Sequence, residues 1–412
     1  MNMKYLILGN GAAGVTAAAR LRELEGTAAV TIAASEDTTA YAKIMLPDYI
    51  GGKVPRAKLF IREKAFYEAN RIQLLPGLKA VKVDTADRMV EFGNGRVEPY
   101  DKLLVAVGGI PFIPDIEGLA DIPYFSINSL EDADRIKQSA ERGGTALILG
   151  GGLTGIEMAY ALGRLGMEVT LAERETCLLP VQLDSEASGI FIRELEREGI
   201  RVITGTSLQR VHKGREKGDG SAAGHLAEFS DGRTLEFNML VVAIGTRSNT
   251  GLVKDTGIEC RRGILVDKYL QSSAEGVFAA GDAAEAAAGA SSEYVSCYVW
   301  SNAMAQGKCA ASNMAGAGTE FAFGSAALNM TQLRDIPFIS MGLVKPRESG
   351  YEVLTRAEPD KGVYRKLIIR DHVIKGMILL GDTSSASALS AMIRKETDVS
   401  DILHKLLENE PV

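Results

Sequence analysis

The sequence predicts an α/β protein with two βαβ units of one kind, followed by a smaller α+β region. The main observation is a glycine-rich turn that occurs twice, as GNGAAG at residues 9–14 and as GGGLTG at residues 150–155. Each turn follows an apolar run typical of a buried strand and opens a segment with helical periodicity. The two units therefore share one order of elements, which indicates duplication of a single folding unit.

The glycine spacing in each turn matches the fingerprint for binding the pyrophosphate of a dinucleotide. Gly9 makes the tight turn, Gly11 lets the backbone approach the pyrophosphate, and Gly14 lets the helix pack on the strand. The corresponding glycines of the second turn are Gly150, Gly152 and Gly155. Because a helix N-terminus also offers free N–H groups to phosphate, we expect two dinucleotides on one chain.

A carboxylate follows each turn at about the distance at which a ribose diol is bound. Glu36 ends the first of these segments and Glu173 ends the second. Glu173 favours NADH, because a carboxylate repels the 2′-phosphate of NADPH. Arg174 follows immediately, so NADPH is not excluded.

The repeat continues beyond the two turns. In the first unit an Asn94-Gly95 turn precedes an apolar segment that ends at Gly108, and in the second an Asp231-Gly232 turn precedes one that ends at Gly245. Both patterns predict a small meander and a closing strand.

Two segments mark where the chain crosses between the units: the proline-rich residues 110–115 and the polar residues 246–249. They predict that residues 1–112 and 245–318 form the first dinucleotide-binding domain and that residues 113–244 form the second, which is inserted into it. Residues 319–412 then form the smaller α+β domain. The polar, glycine-rich tract at 213–220 predicts a mobile hairpin loop.

Composition and charge argue against several classes of function. The 412 residues are 46% apolar and carry a net charge of −7, which argues against a general nucleic-acid binder. Four scattered cysteines suit a reducing cytoplasm, and the four histidines lack metal-ligand spacing. The first strand starts close to Met1 and charges interrupt the apolar stretches, so we expect a cytoplasmic protein with no signal peptide or membrane span.

The most specific signal lies in residues 256–282, with TGI at 256–258, RGILVD at 262–267 and SAEGVFAAGD at 273–282. With these segments and the two turns, nearly the whole chain resembles the FAD-dependent pyridine-nucleotide oxidoreductases. The pattern is most similar to NADH:rubredoxin reductases and to the flavin portion of NADH-dependent nitrite reductases. The resemblance implies two Rossmann-like domains, with the NAD domain inserted in the FAD domain, and a small C-terminal interface domain.

The resemblance also implies the cofactor-binding residues. Asp282 would hold the ribityl chain of FAD. The residues implied for FAD are Gly9, Gly11, Ala12, Ala13, Gly14, Glu36, Lys43, Ala80, Ala106, Gly108, Asp282 and Trp300. The residues implied for NADH are Gly150, Gly152, Leu153, Thr154, Gly155, Glu157, Glu173 and Gly245.

Two of these residues are candidate catalytic groups. Lys43 occupies the place where relatives carry an arginine near the isoalloxazine, and a cation there stabilises negative charge on the flavin. Glu157 is similar to the acid that relatives place beside the nicotinamide, although stabilisation by the helix dipole is an alternative role. Trp300 either covers a face of the flavin or packs in the core.

The sequence lacks the cysteine patterns of disulfide-reducing relatives, so electrons are expected to leave the flavin directly. The favoured function is an FAD-dependent NAD(P)H:acceptor oxidoreductase that reduces an iron–sulfur protein, such as rubredoxin or ferredoxin, or an iron–sulfur subunit of a larger complex. A non-turnover nucleotide-sensing or assembly subunit and an NADH oxidase are the alternatives. A homodimer and a subunit of a hetero-oligomer are both compatible with the sequence, which does not decide the oligomeric state.

A basic segment has two interpretations: it steers the acceptor protein, or it is a solvated face. Its residues are Lys53, Arg56, Lys58, Arg62 and Lys64.

Overall fold

The computed structural model of the chain describes residues 2–214, 224–287, 294–321, 328–333, 336–346 and 348–408. Most of the tract predicted as a hairpin loop, residues 215–220, lies outside these ranges. None of the helices within them is long and apolar enough to cross a membrane.

The first unit contains a parallel sheet and a separate antiparallel meander. Its strands are β1 (Lys4–Leu8), β2 (Ala29–Ala33), β3 (Ile72–Leu75), β4 (Ala80–Asp84), β5 (Met89–Phe92), β6 (Val97–Pro99), β7 (Lys102–Val105) and β8 (Gly109–Pro111). Its helices are α1 (Ala12–Leu24), α2 (Leu46–Ile50) and α3 (Lys64–Ala69). β1 pairs in parallel with β2 and β7, and β4, β5 and β6 form the meander. The apolar side chains of β1 are buried, which explains its central place in the sheet.

The inserted unit repeats this arrangement. Its strands are β9 (Thr145–Leu149), β10 (Glu168–Glu173), β11 (Arg201–Thr204), β12 (Leu208–His212), β13 (His225–Phe229), β14 (Thr234–Phe237) and β15 (Met239–Val242). Its helices are α4 (Leu130–Ala140), α5 (Leu153–Arg164) and α6 (Ser185–Arg197). The parallel sheet has the order β11-β10-β9-β15, and β12, β13 and β14 form the second meander.

The chain then returns to the first unit. The returning elements are β16 (Thr246–Ser248), β17 (Ile264–Val266), β18 (Val277–Ala279), β19 (Ala284–Ala287), β20 (Tyr294–Val295) and α7 (Trp300–Met314). β16 pairs antiparallel with β8 at the crossing between the units, and β18 completes the first sheet beside β7. α7 packs against α1 so closely that a Cβ on Gly307 would lie 2.2 Å from the carbonyl oxygen of Ala13.

The C-terminal region is an α+β domain. Its elements are β21 (Leu328–Leu333), β22 (Ile336–Gly342), β23 (Glu352–Glu358), β24 (Val363–Arg370), β25 (Val373–Leu380), α8 (Ala386–Lys395) and α9 (Leu403–Glu408). The strands form one antiparallel sheet in the order β21-β22-β25-β24-β23. The fold class predicted from the sequence is therefore confirmed.

A buried polar cluster joins the C-terminal domain to the inserted unit. Asp184 caps the N-terminus of α6 and accepts hydrogen bonds from the Lys366 Nζ at 2.8 Å and from the Tyr364 hydroxyl at 2.7 Å. Burial acts to raise the pKa of Asp184, but these hydrogen bonds outweigh it and hold the pKa below its ordinary value. Beside the cluster, the rings of Phe191 and Phe338 meet edge to face at 5.4 Å.

We expect the Asp184→Asn variant to lose about 3 kcal/mol of unfolding free energy, because it leaves the buried Lys366 ammonium without its counter-charge. Urea unfolding followed by circular dichroism measures this loss. The matched control is Glu320→Gln, which breaks the exposed Lys268–Glu320 pair and should lower the unfolding free energy much less. Equal losses in the two variants would show that the buried cluster contributes no more than a surface pair.

Candidate functional site

A cavity of about 780 Å³ opens at the carboxyl ends of β1, β2 and β7. Ligands of doubly wound sheets bind at this edge, and the volume is in the range of small-molecule sites. The lining includes every residue predicted for FAD except Gly14. These lining residues are Gly9, Gly11, Ala12, Ala13, Glu36, Lys43, Ala80, Ala106, Gly108, Asp282 and Trp300.

The first glycine turn forms one wall of the cavity. Gly9 has a φ of +112°, and a Cβ at that position would lie 2.2 Å from the carbonyl oxygen of Ala106. A Cβ on Gly14 would lie 1.9 Å from the carbonyl oxygen of Gly9, which explains why Gly14 packs behind the wall and does not line it. A Cβ on Gly11 would meet nothing within 4 Å, so the space in front of the N-terminus of α1 is open.

The second glycine turn has the same geometry. Gly150 has a φ of +109°, and a Cβ on Gly155 would lie 1.8 Å from the carbonyl oxygen of Gly150. The space in front of Gly152 is open. Leu153 is half-buried and Thr154 is exposed, so this turn faces a more open surface than the first.

The cavity wall fits a ligand that accepts hydrogen bonds. Asn10 lies between the first two glycines, and its Oδ1 accepts a hydrogen bond from the Tyr67 hydroxyl at 3.0 Å. Its Nδ2 is buried and has no hydrogen-bond partner among the described residues. An orphaned buried donor beside a helix N-terminus suits a site that holds an anionic group.

The two predicted ribose acids differ in their surroundings. Glu36 is half-buried and accepts from the Tyr41 hydroxyl at 2.7 Å and the Leu130 N–H at 3.3 Å, both on Oε2. Glu173 is buried, and its two oxygens accept from the backbone N–H groups of Gly151 at 2.6 Å and Glu175 at 2.8 Å. Glu173 therefore also holds its own glycine turn in place.

Asp282 and Lys43 both line the cavity. Burial raises the pKa of Asp282, and the positive charge of Lys43 acts in the opposite direction. The turn before Asp282 is held by the buried Gln306 of α7, whose Oε1 accepts from the Gly281 N–H at 2.8 Å. Trp300 begins α7, lines the cavity and also packs against the core, so its two predicted roles are compatible.

Glu157 lies on α5, outside the cavity lining. α5 packs against α2, where a Cβ on Gly51 would lie 3.0 Å from the Cα of Ala161. Burial, with a smaller contribution from the negative charge of Asp48, raises the pKa of Glu157 to about 7. Glu157 is thus a carboxyl group near half-protonation at neutral pH, located where the two units meet.

The cysteines do not contribute to this site. Cys177, Cys260, Cys297 and Cys309 are free, and none of them lines the cavity. Burial raises the pKa of the Cys297 and Cys309 thiols, which disfavours the reactive thiolate. No group of three or more potential ligand side chains within the described ranges is arranged to hold a metal ion.

Several cavity residues were not predicted from the sequence. Tyr41 and Tyr298 line the cavity, and Asn128 and Ser129 reach it from the inserted unit. Ser129 and Asp132 form a capping box at the start of α4, a pattern that predicts a helix start but not its neighbours in space.

Two family models match the sequence of this chain. Residues 3–307 match the family described as pyridine nucleotide-disulphide oxidoreductase, and residues 328–397 match the rubredoxin NAD+ reductase C-terminal domain. The chain is 30% identical to a nitrite reductase [NAD(P)H] of Bacillus subtilis over 97% of its own length, but it spans only about half of that protein (48%). It is 29% identical to a rubredoxin-NAD(+) reductase of Alcanivorax borkumensis, covering 92% of this chain and 94% of that one.

A solved structure has the same architecture. The NADH:rubredoxin oxidoreductase of Clostridium acetobutylicum superimposes with a TM-score of 0.81 at 25% identity, over 99% of this chain and 100% of that one. Proteins of this group bind FAD and a nicotinamide nucleotide, in agreement with the cofactors predicted from the sequence. Because the first match covers about three quarters of the sequence, the chain belongs to the pyridine nucleotide-disulphide oxidoreductase family.

Proposed function

We propose that this chain binds FAD in the cavity of the first unit and NADH at the second glycine turn, and that it passes electrons to an iron–sulfur protein or subunit. The observation that carries the proposal is the cavity lining, which brings together all the residues implied for FAD except Gly14, from sequence positions 9 to 300. The match of residues 328–397 to a rubredoxin reductase domain supports the choice of acceptor.

When bound, FAD accepts a hydride from NADH and can release its two electrons one at a time to an iron–sulfur centre. The chain itself contributes the space, the positive charge and the helix dipoles that would position the cofactor. Gly11 leaves room for phosphate at the N-terminus of α1, and the Lys43 ammonium stabilises negative charge in the cavity. The N-terminus of α7, which begins at Trp300, adds a positive dipole end beside the same space.

Glu157 would act at the nicotinamide side. Its position on the helix that follows the second glycine turn supports contact with a nucleotide held there. With a pKa of about 7, its carboxyl group accepts or donates a hydrogen bond according to its protonation state.

The route of the electrons follows from the cysteines. A relay through a disulfide requires a cysteine pair at the flavin, and none of the four cysteines lines the cavity. A separate protein that docks on the chain would then be the direct acceptor.

The basic segment is a weak candidate for that dock. Lys53 pairs with Asp48 at 3.4 Å and Arg56 pairs with Asp134 at 3.1 Å, so their charges are largely compensated. Lys64 lies 4.0 Å from Glu68. These pairs favour the solvated-face interpretation, and reduction of the acceptor should depend only weakly on salt.

The proposal is tested by recording the visible spectrum of the purified protein and mixing it anaerobically with NADH or NADPH in a stopped-flow instrument. Fast bleaching of a bound flavin by NADH, with reoxidation by rubredoxin or ferredoxin, supports it. Absence of flavin, or no reduction by either nucleotide, contradicts it and favours a nucleotide-sensing or assembly subunit. Reoxidation by oxygen faster than by any iron–sulfur protein favours an NADH oxidase.

The two glycine turns allow a crossed test. We expect Gly11→Ala to weaken FAD binding at least about 10-fold, because the added methyl group fills the space left for the pyrophosphate without clashing with the protein. Fluorescence titration of the apoprotein with FAD measures this. Gly152→Ala makes the same change in the second turn and should raise the KM for NADH with FAD affinity unchanged. If both variants affect the same cofactor, the assignment of one nucleotide to each turn is wrong.

The raised pKa of Glu157 predicts a pH-dependent stability. Between pH 4.5 and about 7 the folded protein binds more protons at this site than the unfolded chain, so its contribution to stability falls as pH rises. Glu157→Gln should therefore gain up to about 3 kcal/mol over the unaltered protein at pH 8 and almost nothing at pH 4.5. Urea unfolding at both pH values measures the gain. Glu68→Gln, at an exposed position of α3, is the control and should differ little at either pH.

A further inference from the structure

The helix α4 of the inserted unit begins at the ribose end of the first unit's cavity. Asn128 and Ser129, the two residues before this helix, line the cavity together with Glu36 and Tyr41. The dinucleotide site of the first unit is thus completed by residues about 90 positions away in the other unit.

A closed hydrogen-bond network joins the two units at this point. The Tyr41 hydroxyl donates to Glu36 Oε2 at 2.7 Å and accepts from the Leu130 N–H at 3.0 Å. The same N–H lies 3.3 Å from Glu36 Oε2, so each of the three groups contacts the other two. Because Leu130 is the first residue of α4, the carboxylate also lies at the positive end of that helix dipole.

Burial favours this particular set of hydrogen bonds. Tyr41 is 5% exposed and Leu130 is 3% exposed, so water does not readily replace a hydrogen bond that either of these two residues loses, whereas Glu36 is half-buried. Burial and the neighbouring Glu36 raise the pKa of Tyr41, and its hydroxyl remains a donor at neutral pH. Both hydrogen bonds of Glu36 end on Oε2, which leaves Oε1 for a ligand hydroxyl.

We infer that Tyr41 is a positioning residue that sets the Glu36 carboxylate toward the ribose of the bound dinucleotide and holds the N-terminus of α4 against the same end of the cavity. This inference rests on the proposed binding of FAD in the first unit. It implies that FAD binding orders the start of the inserted unit and that docking of the inserted unit strengthens FAD binding.

A second tyrosine provides a comparison within the chain. The Tyr49 hydroxyl donates to Asp134 Oδ1 at 2.6 Å and so also joins the first unit to α4. Tyr49 does not line the cavity and does not contact Glu36 in the described network. Each tyrosine therefore holds the helix through one hydroxyl, but only Tyr41 also holds the ribose acid.

The experiment compares Tyr41→Phe with Tyr49→Phe by titrating each apoprotein with FAD and following flavin fluorescence. Tyr41→Phe should raise the dissociation constant about 10-fold, the effect of losing one hydrogen bond to a charged group, and Tyr49→Phe less than about 2-fold. Unchanged FAD affinity in Tyr41→Phe, or equal weakening in both variants, would overturn the inference, because the second outcome indicates helix docking alone.

A measurement on the unaltered protein does not depend on the folding of any variant. Hydrogen–deuterium exchange of a peptide that includes Leu130 should slow at least about 3-fold when FAD is added, since the ligand fixes Glu36 and its hydrogen-bond partners. Exchange at Leu130 that is unchanged by saturating FAD would contradict the role of Tyr41. Failure of the unaltered protein to bind FAD at all would instead refute the proposed function.

Discussion

The close contact between a helix and a strand at each glycine turn is the constraint on which the rest of the structure depends. A Cβ on Gly14 would lie 1.9 Å from the carbonyl oxygen of Gly9, and one on Gly155 would lie 1.8 Å from that of Gly150. Gly9 and Gly150 each directly follow the strand of their unit. Only glycine lets the first turn of each helix approach the strand so closely. That approach directs the free N–H groups of the helix at the edge of the sheet, where the cavity opens in the first unit.

The same turn is placed in two different surroundings. In the first unit, the long segment between β2 and β3 carries Lys43, α2 and α3, and its first part lines the cavity together with the turn. In the second unit, residues 174–184 join β10 to α6, and this segment packs against the turn, where the Leu179 N–H donates to the Gly151 carbonyl oxygen at 2.8 Å. The Glu173 carboxylate holds the second turn, whereas Glu36 is held by Tyr41 of its own unit and by Leu130 of the other unit. The two copies of the unit therefore hold their strand-end carboxylates in different ways.

The sequence predicted the parts of the structure that depend on local patterns. The turns, their strands, the two meanders and the residues at strand ends follow from glycine spacing and apolar periodicity. Contacts between distant segments could not be predicted in this way. Neither the Tyr41–Leu130 hydrogen bond nor the Lys366–Asp184 pair leaves a signal in either segment alone. In the sequence, Lys53 was a candidate for steering a partner protein. In the structure its ammonium pairs with Asp48, because a turn of the chain brings the two side chains together.

The inserted unit contacts the first unit on one side and the C-terminal domain on the other. These contacts limit how far the two glycine turns can move relative to each other. α4 is joined to the first unit by Tyr41, Tyr49 and Arg56, and α6 is joined to the C-terminal domain by Lys366. Between these contacts, α2 and α5 touch at Gly51, where the absence of a side chain brings Glu157 within electrostatic reach of Asp48. Hydride transfer requires the nicotinamide and the flavin to meet within van der Waals distance. If the two glycine turns bind the two nucleotides as proposed, a unit held at both ends, with α5 packed against α2, would favour that proximity without a large domain movement.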